Sequence, residues 1–413
     1  MALRLLLLTQ WFDPEPTSKG LLFARELAMR GFDVEVVTGF PNYPGGKLYP
    51  GYRMRWFQRE EIDGVRVTRL PLYPSHDHSV IGRVLNYISF AVAAAVYGLF
   101  GAARPSVLYA YHPPLTIGLV AALLRIVRRV PLVYDIQDLW PDTLRATGLI
   151  RNERILAFVG WLCRLVYRVS DRVVVQSPGF RRLLVARGVP PSKIELIYNW
   201  ADETAVSASA ALGAPEGFRR PGSFVVLFAG NMGTAQALEA VIEAAALLQQ
   251  AGELIDFVFL GAGQRLGTLK TLAETRCLGN EQFVTAVPMS SVGSYLQAAD
   301  ALLVHLRQDP LFESTIPSKT QAYLAAGRPI VMAVAGDAAR LIELSGGGVV
   351  ARSEDAASIA AAIVRIANLS GPQRRAMGSH GRAFYLRELS ASAGVDRFAR
   401  LIIALSDGRP RDR

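Results

Sequence analysis

Cysteine is almost missing from this chain: two residues in 413, Cys163 and Cys277, far apart and without metal-ligand or redox spacing. That excludes a disulfide-stapled scaffold and a cysteine zinc site, and it fits a reducing compartment. No Asp-x-Asp pair is present, so no carboxylate motif for a divalent cation is visible. No G-x-G-x-x-G follows a strand-like run, which disfavours a dinucleotide-dependent dehydrogenase. Charged residues make up only 19% against 51% hydrophobic, a composition that excludes disorder and allows large buried cores. The opening apolar run, Leu5–Leu8, is too short for a signal peptide and lacks a small-residue cleavage site. It reads instead as a buried first strand.

Acidic residues are scarce in one half only. Residues 1–200 hold 25 Lys and Arg against 15 Asp and Glu, whereas the rest of the chain is balanced, so the whole net charge of +10 lies in the first half. A basic half can face anionic lipid, nucleic acid or a phosphorylated substrate, or simply be solvated.

What is present is a repeated strand–helix rhythm. Apolar runs at Leu3–Leu8, Val34–Thr38, Val65–Leu70, Val107–Tyr111, Leu132–Ile136, Val173–Gln176 and Ile194–Tyr198 alternate with helical stretches such as Gly20–Arg30, Leu115–Arg129 and Arg154–Val169. Continuous apolar strands belong to parallel sheets covered on both faces. Residues 201–222, rich in Ala, Ser, Gly and Pro, break the rhythm and read as a linker. The alternation restarts at Phe224–Phe228 and continues through Asp256–Leu260, Gln282–Thr285, Ala301–Val304, Pro329–Met332 and Val349–Val350, closing on helical stretches. The expected fold is α/β: two doubly wound Rossmann-like domains, 1–200 and 223–388, facing across a cleft, with 389–413 a terminal helix packing back on the first domain. Ligands of such sheets bind at the carboxyl ends of the strands. Val84–Ala103 holds 20 uncharged residues between Arg83 and Arg104, long enough to span a bilayer. Its place between two strands of one sheet predicts a crossover helix, with a helix lying on a membrane surface as the alternative.

Candidate chemistry follows the strand ends. The loop Asp13–Gly20 opens the first helix, where backbone N–H groups and Lys19 would favour an anion, unless Thr17 or Ser18 is an ordinary cap. Phe40–Phe57 interleaves aromatic, Gly, Pro and basic residues, a composition suited to sugar faces or lipid headgroups, or a structural loop pinned by its own rings. No nucleic-acid-binding motif accompanies it. His112 follows a strand, and Asp135, Asp138 and Asp142 end the next, offering a base or acceptor contacts, or helix caps. Gly230-Asn231-Met232-Gly233 is a small-residue turn that lets backbone approach a phosphate. Gly261 and Gly263 suggest close packing. Lys319, in a helix first turn where the dipole disfavours it, can neutralise a diphosphate.

The segments "WFDPEPTSKG", "GFPNYPGGKLYPGYR", "LPLYPSHD", "YHPPLTIGL", "YDIQDLWPD", "FAGNMGTAQALE" and "IPSKTQAYLAAGRPI" resemble, over essentially the whole chain, GT-B glycosyltransferases of the retaining family 4. The likeness is to the bacterial polysaccharide branch that includes N-acetyl-L-fucosamine transferases. The missing Asp-x-Asp motif points to a metal-independent transfer, and the resemblance implies a UDP-linked N-acetylated or deoxy sugar as donor, with no cofactor beyond it. The acceptor it implies is a polyprenyl-diphosphate-linked glycan in surface polysaccharide or O-antigen synthesis, with retention at the anomeric carbon. It implies a cytoplasmic enzyme, peripheral on an anionic membrane surface and without nucleic acid as partner. Catalytic roles fall on His112, Lys319 and Asp138. Donor contacts fall on Lys19, Gly20, Gly230, Asn231, Met232, Gly233, Gln236, Val287, Glu313, Ser314, Pro317, Ser318 and Gln321. Two departures stand out. Asn231 and Gln236 replace the cations many relatives carry in and after the glycine turn, which leaves Lys319 as phosphate cation. The usual Glu, seven residues, Glu pattern is one residue out of place, so Glu313 or Gln321 takes the ribose contact. A nucleotide-sugar epimerase of the same fold and a non-catalytic partner subunit are the alternatives.

Overall fold

A computed structural model describes residues 2–75, 80–146, 148–208, 213 and 215–407. Parts of the expected linker (209–212 and 214), of the final segment (408–413) and of the "LPLYPSHD" motif (76 and 77) lie outside the described residues.

The residues divide into two compact units, one running to Ile197 and resuming at Gly394, the other Tyr198–Ala393. The first contains strands β1 (Arg4–Leu8), β2 (Asp33–Gly39), β3 (Gln58–Ile62), β4 (Val65–Leu70), β5 (Val107–Tyr111), β6 (Leu132–Ile136), β7 (Arg172–Val175) and β8 (Ile194–Leu196). Its helices are α1 (Leu21–Met29), α2 (Val80–Val96), α3 (Leu115–Arg128), α4 (Asp142–Ala146), α5 (Glu153–Val169) and α6 (Pro178–Ala186). The second contains α7 (Glu203–Ala208), β9 (Phe224–Ala229), α8 (Glu239–Gln250), β10 (Ile255–Leu260), α9 (Leu266–Thr275), β11 (Glu281–Val284), α10 (Met289–Ala298) and β12 (Ala301–His305). It continues with α11 (Pro310–Glu313), α12 (Ser318–Ala326), β13 (Ile330–Ala333), α13 (Asp337–Ser345), β14 (Gly348–Val350), α14 (Ala356–Ala367) and α15 (Gly371–Glu388). The last helix, α16 (Ala391–Asp407), lies in the first unit from Gly394 onward.

The first sheet runs β3-β4-β2-β1-β5-β6-β7-β8 and the second β11-β10-β9-β12-β13-β14. Pairing is parallel throughout except between β3 and β4. Strand order reverses between β1 and β5 in the first sheet and between β9 and β12 in the second, and such switch points open a crevice at the strand carboxyl ends. The central strands are buried on both faces, as their unbroken apolar runs require. Helix ends follow local chemistry: Asn152, Ser177 and Asp355 each accept first-turn amides as N-caps, and α12 and α13 stop at Gly327 and Gly346 in left-handed backbone.

Two differences from the sequence reading have physical causes, and the apolar segment takes the place expected of it. β3 was not expected, because its Gln-Arg-Glu-Glu-Ile sequence carries no apolar run; as an antiparallel edge strand it needs only one covered side. The linker read over 201–222 is not a free tether. Ala201, Val206 and Phe218 are buried in the core of the second unit, α7 packs on α10, and the Tyr385 hydroxyl meets both Glu203 (2.8 Å) and the Ala201 amide (3.2 Å). Three well-placed apolar residues recruited a stretch that has no periodicity. The uncharged segment 84–103 is the β4-to-β5 crossover, α2 followed by a wider turn at Tyr97–Gly101. Its inner side presents Asn86, Phe90, Ala94 and Gly98 to the unit, one per helical turn.

Candidate functional site

In the second unit the switch point holds the turn Gly230–Gly233 after β9 and, beside it, the first turn of α12. Tyr323 sets this approach: its hydroxyl accepts from the Ala229 amide at 2.8 Å, tying α12 to the end of β9. Lys319 lies one helical turn earlier on the same face, which brings its ammonium to 3.6 Å from the centre of the Phe228 ring and against Gly230. The ammonium is out of solvent and has no hydrogen-bond acceptor, though the stem is partly exposed. Burial pulls its pKa from 10.5 down to about 7. A buried cation without an acceptor, at a sheet switch point, is suited to an anionic ligand.

The glycine turn itself is largely self-bonded. The Gly230 amide donates to Leu260, that of Met232 to Ala262 (2.8 Å), and that of Gly233 to the Gln236 side chain (3.0 Å). These three amides are therefore engaged within the protein, and Gln236, expected at the phosphates, closes the turn. Met232 is a core residue, wholly buried. The neighbouring turn at Gly261–Gly263 is pressed so close that a Cβ on Gly261 would lie 2.1 Å from the Gly230 carbonyl oxygen and one on Gly263 2.4 Å from that of Met232. Both glycines also have positive φ.

His305, which the sequence reading passed over, fixes the segment from below. Its Nδ1 donates to the Gln236 carbonyl at 2.6 Å and its Nε2 accepts from the Glu354 amide at 3.0 Å, so the ring is the neutral Nδ1–H tautomer, and burial holds its pKa down. Arg307 was missed as well; its amide donates to Ala235 and its guanidinium meets Asp309 at 3.2 Å. Their position at the end of β12 was the available signal. Of the other expected contacts, Asn231 is exposed on the turn, Pro317 caps α12, and Ser318 is exposed in its first turn. Glu313 is exposed at the end of α11, with Ser314 its buried C-cap, and Val287 precedes α10, half-buried against the core. Gln321 is corrected: in the amide orientation that satisfies both ends, its nitrogen donates to the Pro317 and Ser318 carbonyls at 2.9 Å each. Both amide hydrogens are thus spent on the helix's own first turn.

In the first unit the ends of β1, β5 and β6 gather His112, Asp138 and the loop 13–20. His112 is buried, with the Tyr134 and Trp140 rings edge-on at 5.9 and 5.4 Å; burial pushes its pKa down to about 3, and its Nδ1 has no partner. It is thus a neutral imidazole with one nitrogen to offer. Asp138 is half-buried, and burial raises its carboxyl above the usual carboxylate range. Asp142 is taken by Arg187. Lys19 is corrected outright. Its ammonium is wholly buried on Asp135 and 4.8 Å from the Phe398 ring centre, and Asp135 is held in turn by Tyr109 (2.5 Å) and Gln137 (2.6 Å). The ion pair is part of the interior, with both side chains closed to solvent. Gly20 does cap α1, but the Asp13 carboxylate already accepts the Leu21 amide at 2.6 Å, filling the place where an anion was expected. Glu15 clamps the same loop to the 40s loop by accepting the Asn42 and Tyr43 amides, each at 2.7 Å.

Comparison with known families agrees with this architecture. Residues 21–200 match the model described as Glycosyl transferase 4-like domain, and 223–368 that described as Glycosyl transferases group 1. The chain is a GT-B glycosyltransferase of the group 1 family. Among known sequences this glycosyltransferase is 26% identical to WcaI of Escherichia coli strain K12, named for colanic acid biosynthesis, over 76% of this chain and 79% of that protein. It is also 26% identical to WbjE of Pseudomonas aeruginosa, named as a glycosyltransferase, over 79% and 81%. Among solved structures, sucrose-phosphate synthase of Thermosynechococcus elongatus superposes with a TM-score of 0.74 at 17% identity, covering 99% of this chain and all of that one. HepE of Anabaena, solved with UDP and glucose, gives 0.68 at 15%, covering 97% and 100%. Both likenesses are of fold. Among the described residues no cluster of three His, Cys, Asp or Glu is placed to hold a metal ion.

Proposed function

We propose that this glycosyltransferase takes a sugar from a nucleotide-diphosphate donor bound at the Gly230–Lys319 site and passes it to a lipid-linked glycan in bacterial surface polysaccharide synthesis. The observation that carries the reading is the buried ammonium of Lys319, without an acceptor, at the switch point of the second sheet. The name of WcaI and the UDP complex of HepE support it. As the bond from sugar to diphosphate breaks, negative charge grows on the leaving group, and a fixed cation there stabilises the transition state more than the ground state. His112, neutral and with a nitrogen to spare, is suited to a hydroxyl of the transferred sugar, and Asp138 to the acceptor hydroxyl. The finer reading is a UDP donor carrying an N-acetylated or deoxy sugar, retention, and no metal requirement. The test is release of nucleoside diphosphate across a donor panel with lipid-linked acceptors. Lys319→Ala should lower turnover by roughly 10²–10³ while the variant stays folded, and excess EDTA should leave the wild type active. Wild-type turnover in folded Lys319→Ala overturns the role of Lys319, and loss on chelation restored by Mg²⁺ overturns the metal-free reading.

A further inference from the structure

The proposed donor site leaves unused an apolar outer surface on the first unit. α2 shows Ile81, Val84, Leu85, Ile88, Val92 and Val96 to solvent, all about half exposed or more. They recur every three or four residues and form one continuous helical stripe, the side opposite Asn86 and Phe90. α3 packs beside α2, fastened by Arg128 donating to the Gly98 carbonyl at 2.7 Å, and adds Leu123, Ile126 and Val127. α5 packs on the far side of α3 and adds Ile155, Phe158, Trp161 and Leu165, with the two rings stacked at 5.9 Å. Soluble surfaces rarely carry contiguous apolar patches beyond a few hundred Å², and here three adjacent helices turn thirteen large apolar side chains to solvent.

The charge around the patch identifies what covers it. From Val80 to Tyr134 the chain has no Asp or Glu and five Arg. Three of the positions that border the stripe at the α3 end, Arg104, Arg128 and Arg129, together with Val127, line an open depression of about 390 Å³. On α5 the lone carboxylate, Glu153, is paired with Arg145, while Arg154, Arg164 and Arg168 are exposed. Apolar side chains fringed by one sign of charge match a bilayer with anionic headgroups: the aliphatic and aromatic groups enter the acyl boundary and the guanidinium groups meet phosphates. A second protein copy would have to present an acidic, apolar counterpart, and this face is not complementary to itself.

We infer that the outer face of α2, α3 and α5 is the surface by which this protein lies on an anionic membrane. The helix from Ile81 to Gly101 is long and apolar enough to cross a bilayer, but its inner side is committed. The buried Asn86 amide bonds Gln10 (2.5 Å), Asn42 (3.1 Å) and the Tyr73 carbonyl (2.7 Å), and spanning would break all three. The helix therefore lies flat. The exposed Trp56 and Phe57 of the aromatic loop are a separate feature.

The test is co-sedimentation of the full chain with phosphatidylglycerol-containing and with pure phosphatidylcholine vesicles, from about 0.05 to about 0.5 M salt. The expected result is binding to the anionic vesicles that weakens with salt, reduced about tenfold or more by Val92→Glu with Ile126→Glu. Thermal melting and nucleotide binding report that this variant is folded. Trp161→Ser, on the far helix, should weaken binding on its own. The inference is overturned by binding that the Val92 and Ile126 substitutions leave unchanged, by binding lost only with Trp56→Ser and Phe57→Ser, by extraction that needs detergent, or by a dimer that those substitutions dissociate without vesicle binding. None of these readouts requires sugar transfer, so the outcome is independent of the donor and acceptor assigned above.

Discussion

If Lys319 is neutral half the time at pH 7 and charged when a diphosphate is bound, nucleotide binding must take up a proton. The free site has a pKa of about 7, against an ordinary 10.5 to which an adjacent diphosphate should return it. Above about pH 7.5 the diphosphate itself is fully ionised, so the lysine is the group that titrates. Charging the free site then becomes harder by about 1.4 kcal/mol per pH unit. From pH 7.5 to 9.5 the affinity for nucleoside diphosphate should fall by about 2.5 kcal/mol, roughly seventyfold, and at pH 8 about 0.9 proton should be taken up per ligand. Isothermal titration in two buffers of different ionisation enthalpy measures that uptake directly. Lys319→Ala should bind more weakly at pH 7.5, with the slope and the proton uptake gone. Affinity that is flat over this range in the wild type, or uptake that survives in Lys319→Ala, would refute the assignment. The same shift has a sign for stability: a depressed folded pKa means that the unfolded chain binds more protons, so the contribution of this group is present above 10.5 and is lost as pH falls through 7.

Lys19→Met leaves Asp135 buried without its cation and should cost about 3–5 kcal/mol in urea unfolding; a stable variant with selectively weakened donor binding would instead return Lys19 to the site. Gly263→Ala forces a Cβ onto the Met232 carbonyl at 2.4 Å. It should destabilise by about 1–3 kcal/mol and weaken nucleotide binding, and calorimetric melting with ligand titration checks both.

The strands were legible where their environment was simple. β5 and β6 occupy the spans their apolar runs mark, because a strand covered on both faces leaves nothing to choose but its ends. β3 was not, since an edge strand facing water carries no such mark. At the site, sequence identifies Lys319 as a cation in an awkward place, at a helix start against the dipole. It cannot tell that ammonium from Lys19, which stands in an equally suggestive loop yet is consumed by a carboxylate 116 positions away. Nor can it show that Gln236 and Gln321 turn inward on their own backbone. Whether a polar side chain meets ligand or protein depends on partners distant in sequence, and no local pattern encodes them. His305 fell to the same limit: it reads as the polar end of a strand, and its task is defined by Gln236 and Glu354.

The interlock of the 230–233 and 261–263 turns has a consequence for how a ligand is received. With glycine on both sides and backbone against backbone, neither turn can shift without the other, and the amides of Gly230, Met232 and Gly233 are already anchored. On the proposed donor site, a nucleotide would find its platform at its final shape, and little conformational entropy would be lost at these residues on binding. Amide hydrogen exchange in this segment should accordingly be slow in the free protein and nearly unchanged by nucleotide, with any ordering on binding falling on the exposed neighbours Asn231, Glu313 and Ser318.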